Sequence, residues 1–275
     1  MTKNLRVKSS EYIDETNRIS FKFNGKTYHG FKGDTLASAL LANDVHLVGR
    51  SFKYHRPRGI MTSGSEEPNA IVQVNPGTNR TEPNVRATEV EIYEGLEASS
   101  QNCWPSVEFD IGGINNFLSP FFPAGFYYKT FMWPASFWEK YEFFIRHSAG
   151  LGKSPTSSDP DIYDHRNIHC DVLVVGAGIS GILAAKNAAK NNFKTLLVDE
   201  KNELGGSTVY ENNEFNKIDN KAPSEWLKKE IEELKGIKNL EIKTRTSVAA
   251  YHQYNYLLAR ENLTDHLEAK DKTNK

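Results

Sequence analysis

Residues 170–206 read CDVLVVGAGISGILAAKNAAKNNFKTLLVDEKNELGG, and this stretch decides the fold of the C-terminal part of the chain. It opens with a continuous apolar strand, 170–175, which is typical of a central strand in a parallel sheet. Three glycines then follow with the spacing GxGxxG. An Ala-rich helix and a second apolar strand, 194–198, complete the pattern. This order predicts a βαβ unit that binds the ADP half of a dinucleotide.

Each glycine of the motif has its own physical task. Gly176 permits the sharp turn from strand to helix, Gly178 lets the backbone approach a pyrophosphate, and Gly181 lets the helix pack closely on the sheet. The amides and the dipole at the helix N-terminus face the phosphate charge. The cofactor-binding residues predicted in this loop are therefore Gly176, Ala177, Gly178, Ser180 and Gly181.

An acid and a second glycine pair follow the loop. Asp199 ends the second strand, where its carboxylate can accept hydrogen bonds from ribose hydroxyls, and Glu200 is the next candidate. A carboxylate at this position disfavours a 2′-phosphate, so NAD or FAD is predicted rather than NADP. Gly205 and Gly206 offer another close backbone approach to a ligand, and a simple loop is the alternative interpretation.

The N-terminal part has the pattern of a small β-grasp domain. Apolar and polar residues alternate from residue 19, and Asn24-Gly25 predicts a tight hairpin turn with positive φ at both positions. Asp34 is predicted to cap a short helix over 35–43, whose buried stripe is Leu36, Ala39 and Leu40. Further short strands are predicted at 70–74 and 87–93.

Aromatic residues crowd the segment 117–144, where lysines, glutamates and prolines interrupt them. A membrane-spanning helix would not tolerate that pattern. The rings must be buried against their own domain or against a partner, and both interpretations stay open.

Composition limits the function classes. With 275 residues the chain is long enough for about two domains, and its net charge of −1 favours neither nucleic acid nor an anionic membrane as a partner. The two cysteines, Cys103 and Cys170, are too few for a disulfide framework and fit a reducing compartment. The N-terminus has no apolar region of a secretory signal, so a cytoplasmic location is predicted.

Two further sets of residues have side chains that bind ligands or metals in other proteins. A basic run could hold a flavin phosphate or an acidic partner, or could be a solvated, salt-bridged loop; it comprises Arg50, Lys53, His55, Arg56 and Arg58. His165, His169 and Cys170 superficially suggest a metal site, but Cys170 opens a buried strand, so no metal is predicted. No nucleophile arrangement stands out, and the catalytic residues are unknown from this chain.

Four long stretches resemble the alpha subunits of heterotetrameric sarcosine oxidases, and the resemblance covers about residues 18–260. The stretches are GDTLASALLANDVHLVGRSFKYHRPRG (33–59), EEPNAIVQV (66–74), EPNVRATEVEIYEGLEASSQNCWPS (82–106) and SPFFPAGFYYKTFMWP (119–134). The resemblance is to the N-terminal part of such subunits, so the chain is expected to be a fragment, or its remaining parallel strands to lie on another polypeptide.

The resemblance implies a reaction, cofactors and partners. It implies oxidation of the N-methyl group of sarcosine to give glycine, a one-carbon unit (formaldehyde or methylene-tetrahydrofolate) and hydrogen peroxide. FAD would lie on a beta subunit, FMN at the alpha–beta interface, and NAD at the site of Gly176, Gly178, Gly181 and Asp199. Tetrahydrofolate would bind a C-terminal part absent here, and gamma and delta subunits would complete the assembly.

The predicted fold class is α/β. Residues 18–95 are expected to form a β-grasp domain that resembles 2Fe–2S ferredoxins, 96–168 an aromatic-rich connecting or interface segment, and 169–275 a partial Rossmann-like FAD/NAD(P)-binding domain. An iron–sulfur cluster needs four Cys thiolates, and no Cys precedes Cys103, so the ferredoxin-like domain is predicted to lack a cluster. The alternatives are a subunit of a related opine, proline or cyanide-forming dehydrogenase, or a non-catalytic assembly scaffold.

Overall fold

The computed structural model describes residues 5–6, 13–121, 125, 131, 133–148, 150–210 and 216–267. The chain divides into two compact units, of which the first consists mainly of residues before Tyr163 and the second of Tyr163–Asp265. No helix among the described residues is long and apolar enough to cross a membrane. The domain limits given above, 18–95, 96–168 and 169–275, stay a prediction.

The first unit is built on a mixed five-stranded sheet. Its elements are β1 (Asp14–Phe23), β2 (Lys26–Lys32), α1 (Leu36–Ala42), β3 (Gly49–Arg50), β4 (Pro57–Arg58), β5 (Ile71–Val74), β6 (Glu82–Arg86), β7 (Glu97–Ser100), α2 (Ile114–Phe117) and α3 (Trp138–Ser148). The strand order is β2-β1-β7-β5-β6, with β1 antiparallel to β2 and parallel to β7. Asn24 and Gly25 have φ values of 51° and 75°, which confirms the predicted hairpin turn.

The core of this unit lies between α1 and the sheet. Leu36, Ala39 and Leu40 are each 0% exposed, as the apolar spacing predicted, and they pack in one cluster with Phe21 and Phe23 of β1. Complete burial of a Leu or Phe side chain stabilises the fold by about 1.5–3 kcal/mol. The hairpin and the helix therefore hold each other in place.

The predicted cap of α1 was wrong by one residue. Thr35 is the N-cap, because its hydroxyl accepts a hydrogen bond from the Ser38 amide and the Ser38 hydroxyl accepts one from the Thr35 amide. Asp34 is instead buried, and its carboxylate pairs with the Arg6 guanidinium and accepts a hydrogen bond from the Phe31 amide. The Asp34 carboxylate also accepts a hydrogen bond from the Ser38 hydroxyl at 2.7 Å, so it supports the first turn of α1 through that side chain.

The predicted strand at 87–93 was also wrong. The strand in this region is β6, Glu82–Arg86, and the chain turns at residues 87–89. The Ala87 amide donates to the Ala70 carbonyl at 2.8 Å, and the Ala87 carbonyl accepts from the Ala37 amide at 2.9 Å. Ala87 is buried where the end of β6 meets α1.

The second unit contains a three-stranded parallel sheet and a separate hairpin. Its elements are β8 (Val172–Val175), α4 (Ile179–Lys190), β9 (Thr195–Val198), α5 (Pro223–Lys235), β10 (Leu240–Lys243), β11 (Thr246–His252) and β12 (Tyr256–Glu261). The order is β10-β9-β8, so β9 is the central strand and all four of its residues are buried. In the described sheet β8 lies at the edge, with Val175 56% exposed, and the prediction that β8 is central was wrong there.

Helices α4 and α5 pack together in the second unit. Ile182 and Ala185 of α4 share a buried cluster with Trp226 and Leu227 of α5, in line with the amphipathic patterns of both helices. Lys186 also reaches Glu230 of α5 at 2.6 Å. Helix α5 thereby holds α4, the helix of the βαβ unit that carries the glycine motif, in place.

Candidate dinucleotide site

The glycine motif begins with a turn that only glycine adopts easily. Gly176 has φ of 93°, in the left-handed region where other residues are strained. Its amide donates to the Val198 carbonyl at 2.8 Å, so the turn starts while the chain is still paired with β9. The chain then leaves the sheet and enters α4.

Gly178 is the first residue of the turn into α4. It is the N-cap, and its carbonyl accepts the hydrogen bond of the Ile182 amide at 2.9 Å. The amides of residues 179–181, which include the exposed Ser180, precede this first intrahelical bond and lie at the positive end of the helix. A Cβ on Gly178 would meet no atom within 4 Å, so the space beside it is open to a ligand.

Gly181, unlike Gly178, is closely surrounded by backbone atoms. A Cβ at this position would overlap the carbonyl oxygen of Gly176. The third glycine of the motif is therefore required by the backbone itself, because the helix passes directly against the turn.

Asp199 lies beside the loop, and its carboxylate already holds the backbone. Its Oδ2 accepts from the Ala177 amide at 2.5 Å and its Oδ1 accepts from the Lys201 amide at 2.8 Å. Asp199 is buried, whereas the neighbouring Glu200 is exposed at the same strand end. A carboxylate has about four lone-pair sites, so Asp199 keeps acceptor capacity for a ribose while it fastens the loop.

The second glycine pair meets the first loop. Gly205, with φ of 123°, donates its amide to the Ala177 carbonyl at 2.8 Å. Gly206 has φ of 56°, and a Cβ on it would lie 3.1 Å from the Cα of Gly178. Two stretches of bare backbone therefore border the open space at Gly178, which fits the close approach that a diphosphate needs.

Thr208 is a polar residue of this region that the sequence analysis missed. It is 2% exposed, and its Oγ1 has no hydrogen-bond partner among the described residues. It lies in the turn Gly206–Val209, directly after the glycine pair. A buried hydroxyl without a partner is costly, and a bound ligand could satisfy it. Its only signal in the sequence is its place two residues after Gly206.

The basic run of the first unit divides into a structural part and an exposed part. The Arg50 guanidinium donates to the Val107 carbonyl at 2.8 and 2.6 Å. The ring nitrogen Nδ1 of His55 lies 2.6 Å from the Asp110 carboxylate, and both side chains are largely buried. These two residues therefore hold the loop together.

The other members of the run surround an aromatic ring. The Lys53 ammonium and the Arg56 guanidinium lie 4.9 and 4.8 Å from the ring centre of Tyr54, within the range of cation–π attraction. Arg56 also donates to the Asn116 side chain at 2.8 Å, and Arg58 is exposed. The contacts of Arg50 and His55 within the protein explain these two residues without a flavin phosphate or an acidic partner.

Many aromatic residues of the 117–144 segment are exposed in the first unit. The large exposed rings are Phe117, Phe121, Trp133, Phe137, Trp138, Phe143 and Phe144. Phe122, Phe126, Tyr127 and Tyr128 lie outside the described residues. For the rings that are described, burial in the core of this unit is not observed, which favours the interface interpretation.

The suspected metal ligands do not form a cluster. Among the described residues no group of three or more His, Cys, Asp or Glu side chains could hold a metal ion. Burial raises the pKa of the Cys170 thiol, so the thiolate that a metal requires is disfavoured there.

Two protein families match parts of the chain. The family described as 2Fe-2S iron-sulfur cluster binding domain matches residues 16–103, and the family of FAD dependent oxidoreductases matches residues 171–261. The sarcosine oxidase subunit alpha of Rhizobium meliloti (strain 1021) is 49% identical over 263 residues, which cover 95% of this chain and 26% of that protein. By sequence, the chain is a relative of sarcosine oxidase alpha subunits.

Other comparisons agree with that relationship. The sarcosine oxidase subunit alpha of Corynebacterium sp. (strain U-96) is 31% identical over 93% of this chain and 22% of its own length. The chain thus spans about a quarter of the curated relatives that it matches. The crystal structure of L-proline dehydrogenase from P. horikoshii has a TM-score of 0.51 at 17% identity, covering 88% of this chain and 36% of that chain, and supports the fold alone.

The iron–sulfur family match does not extend to its metal ligands. Cys103 is the single cysteine within residues 16–103, whereas a cluster of this type needs four thiolates. The first unit therefore has the fold of such a domain without the residues that hold the cluster.

We expect Asp199→Asn to destabilise the second unit by about 1–3 kcal/mol, because the amide group of Asn would face the amide of either Ala177 or Lys201 as a second donor. Urea unfolding followed by circular dichroism measures this loss. Glu200→Gln is the matched control at the exposed neighbouring position, and we expect it to change stability by less than about 0.5 kcal/mol. Equal stability of both variants would contradict the fastening role of Asp199.

Proposed function

We propose that the second unit binds the ADP half of NAD. The observation that carries the proposal is the open space at Gly178, bordered by the bare backbone of Gly205 and Gly206 and by the N-terminus of α4. The residues proposed to bind are Gly176, Ala177, Gly178, Ser180, Gly181, Asp199, Glu200, Gly205 and Gly206. NAD is preferred to NADP because the carboxylates of Asp199 and Glu200 would repel a 2′-phosphate.

We further propose that the chain is part of a flavin-dependent enzyme that oxidises sarcosine to glycine, a one-carbon unit and hydrogen peroxide. Its relationship to sarcosine oxidase alpha subunits over 95% of its length supports this assignment. The flavins would accept the electrons of the amine, with FAD on a beta subunit and FMN at the interface, while tetrahydrofolate would receive the one-carbon unit. In that assembly, with beta, gamma and delta subunits, this chain's residues bind and orient a dinucleotide.

FAD is the second candidate for the same site, because the family that matches residues 171–261 is one of FAD dependent oxidoreductases. Both dinucleotides share the ADP half, and the loop geometry does not separate them. The two candidates differ in which dinucleotide the protein would release from this site on denaturation.

Cofactor release separates the candidates. We expect NAD to appear in the supernatant when the assembled enzyme is denatured mildly, and NAD to bind the 275-residue chain at least about tenfold more tightly than NADP. Chromatography of the released nucleotides and equilibrium dialysis measure both results. Release of FAD alone from variants that lack the beta-subunit flavin would assign the site to FAD, and release of neither would contradict a dinucleotide site.

A scaffold role without catalysis is favoured by one observation, the exposed rings of the segment 117–144. A related opine, proline or cyanide-forming dehydrogenase is the other alternative, and a panel of amine substrates with peroxide detection distinguishes it. Peroxide formed with sarcosine supports the oxidase, and turnover of another amine without peroxide supports the dehydrogenase.

A further inference from the structure

A buried glutamate organises the loop between β4 and β5. Glu67 is 1% exposed, and each of its carboxylate oxygens accepts two backbone amides. Oε2 accepts from Met61 at 2.8 Å and Thr62 at 2.7 Å, and Oε1 accepts from Asn69 at 2.8 Å and Ala70 at 3.1 Å. The loop is therefore folded around a single negative charge.

Loops that hold a 2Fe–2S cluster also fold around a negative charge. Thiolates bind the iron ions, and hydrogen bonds to the sulfurs help to set the properties of the cluster. The family that matches residues 16–103 binds such a cluster, and this chain lacks the thiolates. The question is therefore what occupies the place of the cluster in the fold.

The spacing of the loop answers part of that question. Plant-type clusters use ligands spaced C-x4-C-x2-C, followed by a fourth Cys further along the chain. Thr62, Glu67 and Ala70 have this spacing, and they are joined in space through the Glu67 carboxylate. The Thr62 hydroxyl also lies 3.2 Å from Oε2 of Glu67.

Thr88 has the properties of the fourth position. It is 3% exposed, and its hydroxyl donates to the carbonyl of Gly64, inside the same loop, at 2.8 Å. The preceding residue, Ala87, donates its amide to the Ala70 carbonyl at 2.8 Å. A side chain at position 88 is therefore aimed at the loop from the turn after β6.

We infer that the Glu67 carboxylate has replaced an iron–sulfur cluster as the anion around which this loop folds, and that Thr62, Glu67, Ala70 and Thr88 occupy the four former ligand positions. The exchange keeps a negative charge for the loop amides and removes the redox centre. The loop is thus held by a group whose charge does not change when electrons are transferred.

The ionisation of Glu67 agrees with this role. Burial raises the pKa of the carboxyl, but the hydrogen bonds from Thr62, Asn69, Met61 and Ala70 outweigh burial, and the pKa lies below its ordinary value. The carboxylate is therefore charged at neutral pH, as a replacement for an anionic cluster must be.

The first experiment removes the charge and keeps the shape. In Glu67→Gln one oxygen becomes an amide group, which would face two backbone amides as a donor. We expect the thermal midpoint of the first unit to fall by about 5–10 °C. Glu66→Gln, at the exposed neighbouring residue, is the matched control and should shift it by less than about 2 °C. Equal midpoints for the two variants would overturn the inference.

The second experiment restores the ligands. The chain with Thr62→Cys, Glu67→Cys, Ala70→Cys and Thr88→Cys is incubated without oxygen with ferric iron and sulfide. We expect stoichiometric iron and labile sulfide, visible charge-transfer absorption, and recovery of any structure lost in the metal-free variant, because metal binding is coupled to folding. The control with Thr62→Cys, Ala70→Cys and Thr88→Cys retains Glu67 and should bind at least about tenfold less iron as a cluster.

Each outcome decides the matter. A cluster in the four-cysteine variant alone supports the four positions. A folded four-cysteine variant without a cluster, an unfolded one that iron and sulfide do not restore, or an equal cluster in the three-cysteine control would each overturn the assignment.

Discussion

Replacing Gly178 with Asp is expected to weaken ADP binding by at least about 100-fold while the fold stays intact or becomes slightly more stable. A Cβ at this position meets no atom within 4 Å, and the backbone there is extended, with φ of −70° and ψ of −176°. Aspartate is a better N-cap than glycine by a few tenths of a kcal/mol. Its carboxylate would nevertheless occupy and repel the space of a diphosphate. Equilibrium dialysis with ADP and thermal unfolding measure the two effects.

Gly178→Ser separates charge from size at the same position. Serine is also a favourable N-cap but is neutral, so we expect ADP affinity between that of the parent chain and that of Gly178→Asp. Unchanged ADP affinity in Gly178→Asp would contradict the proposed site. If that variant also assembled with full turnover, the chain would be a scaffold in which the glycine loop has no part in the reaction.

Gly181→Ala should have the largest effect on stability, a loss of about 2–4 kcal/mol in the second unit. The added methyl group would overlap the Gly176 carbonyl oxygen, which is backbone and cannot rotate away. The helix must then move off the sheet, and the buried contacts of Ile182 and Ala185 are weakened. Hydrogen exchange of peptides from residues 171–261 measures the loss.

Gly178→Ala is the control for that substitution. It adds the same methyl group three residues earlier in open space, so we expect a change of less than about 1 kcal/mol. Similar hydrogen exchange in the two alanine variants would show that the close contact at Gly181 is not what the third glycine provides.

The glycine loop was predictable because the residues that shape it are neighbours in sequence. Gly176 requires a positive φ, Gly181 requires contact with the backbone, and both needs follow from one strand running into one helix. The hairpin turn at Asn24-Gly25 is predictable for the same reason. The alpha-subunit relationship rested on long stretches of sequence, which carry far more information than the motif.

Features that depend on distant residues were missed. Asp34 has the sequence pattern of a helix cap, but its carboxylate binds Arg6, 28 residues away in sequence, and the Ser38 hydroxyl, while Thr35 is the cap. From the sequence, Asp199 was expected only to bind ribose. Its hydrogen bond from the Ala177 amide joins residues 22 positions apart, so no local pattern indicates it. Thr208 and Glu67 were not identified from the sequence, because the burial of a hydroxyl and the convergence of amides arise only when the chain is folded. Local sequence patterns do not show which hydrogen-bond acceptors are already bonded to distant residues in the folded chain.

Arg50 shows how formal charge overstates the surface potential that a partner would meet. Its guanidinium donates to main-chain carbonyl groups of residues 107 and 108, so it adds a unit to the calculated net charge while these N–H groups are already used within the protein. Exchange for Lys would preserve every charge count yet lose the bidentate geometry. An ion that approaches this loop therefore interacts mainly with Arg56 and Arg58. The count of basic residues in the sequence overstates the number of cations that it meets.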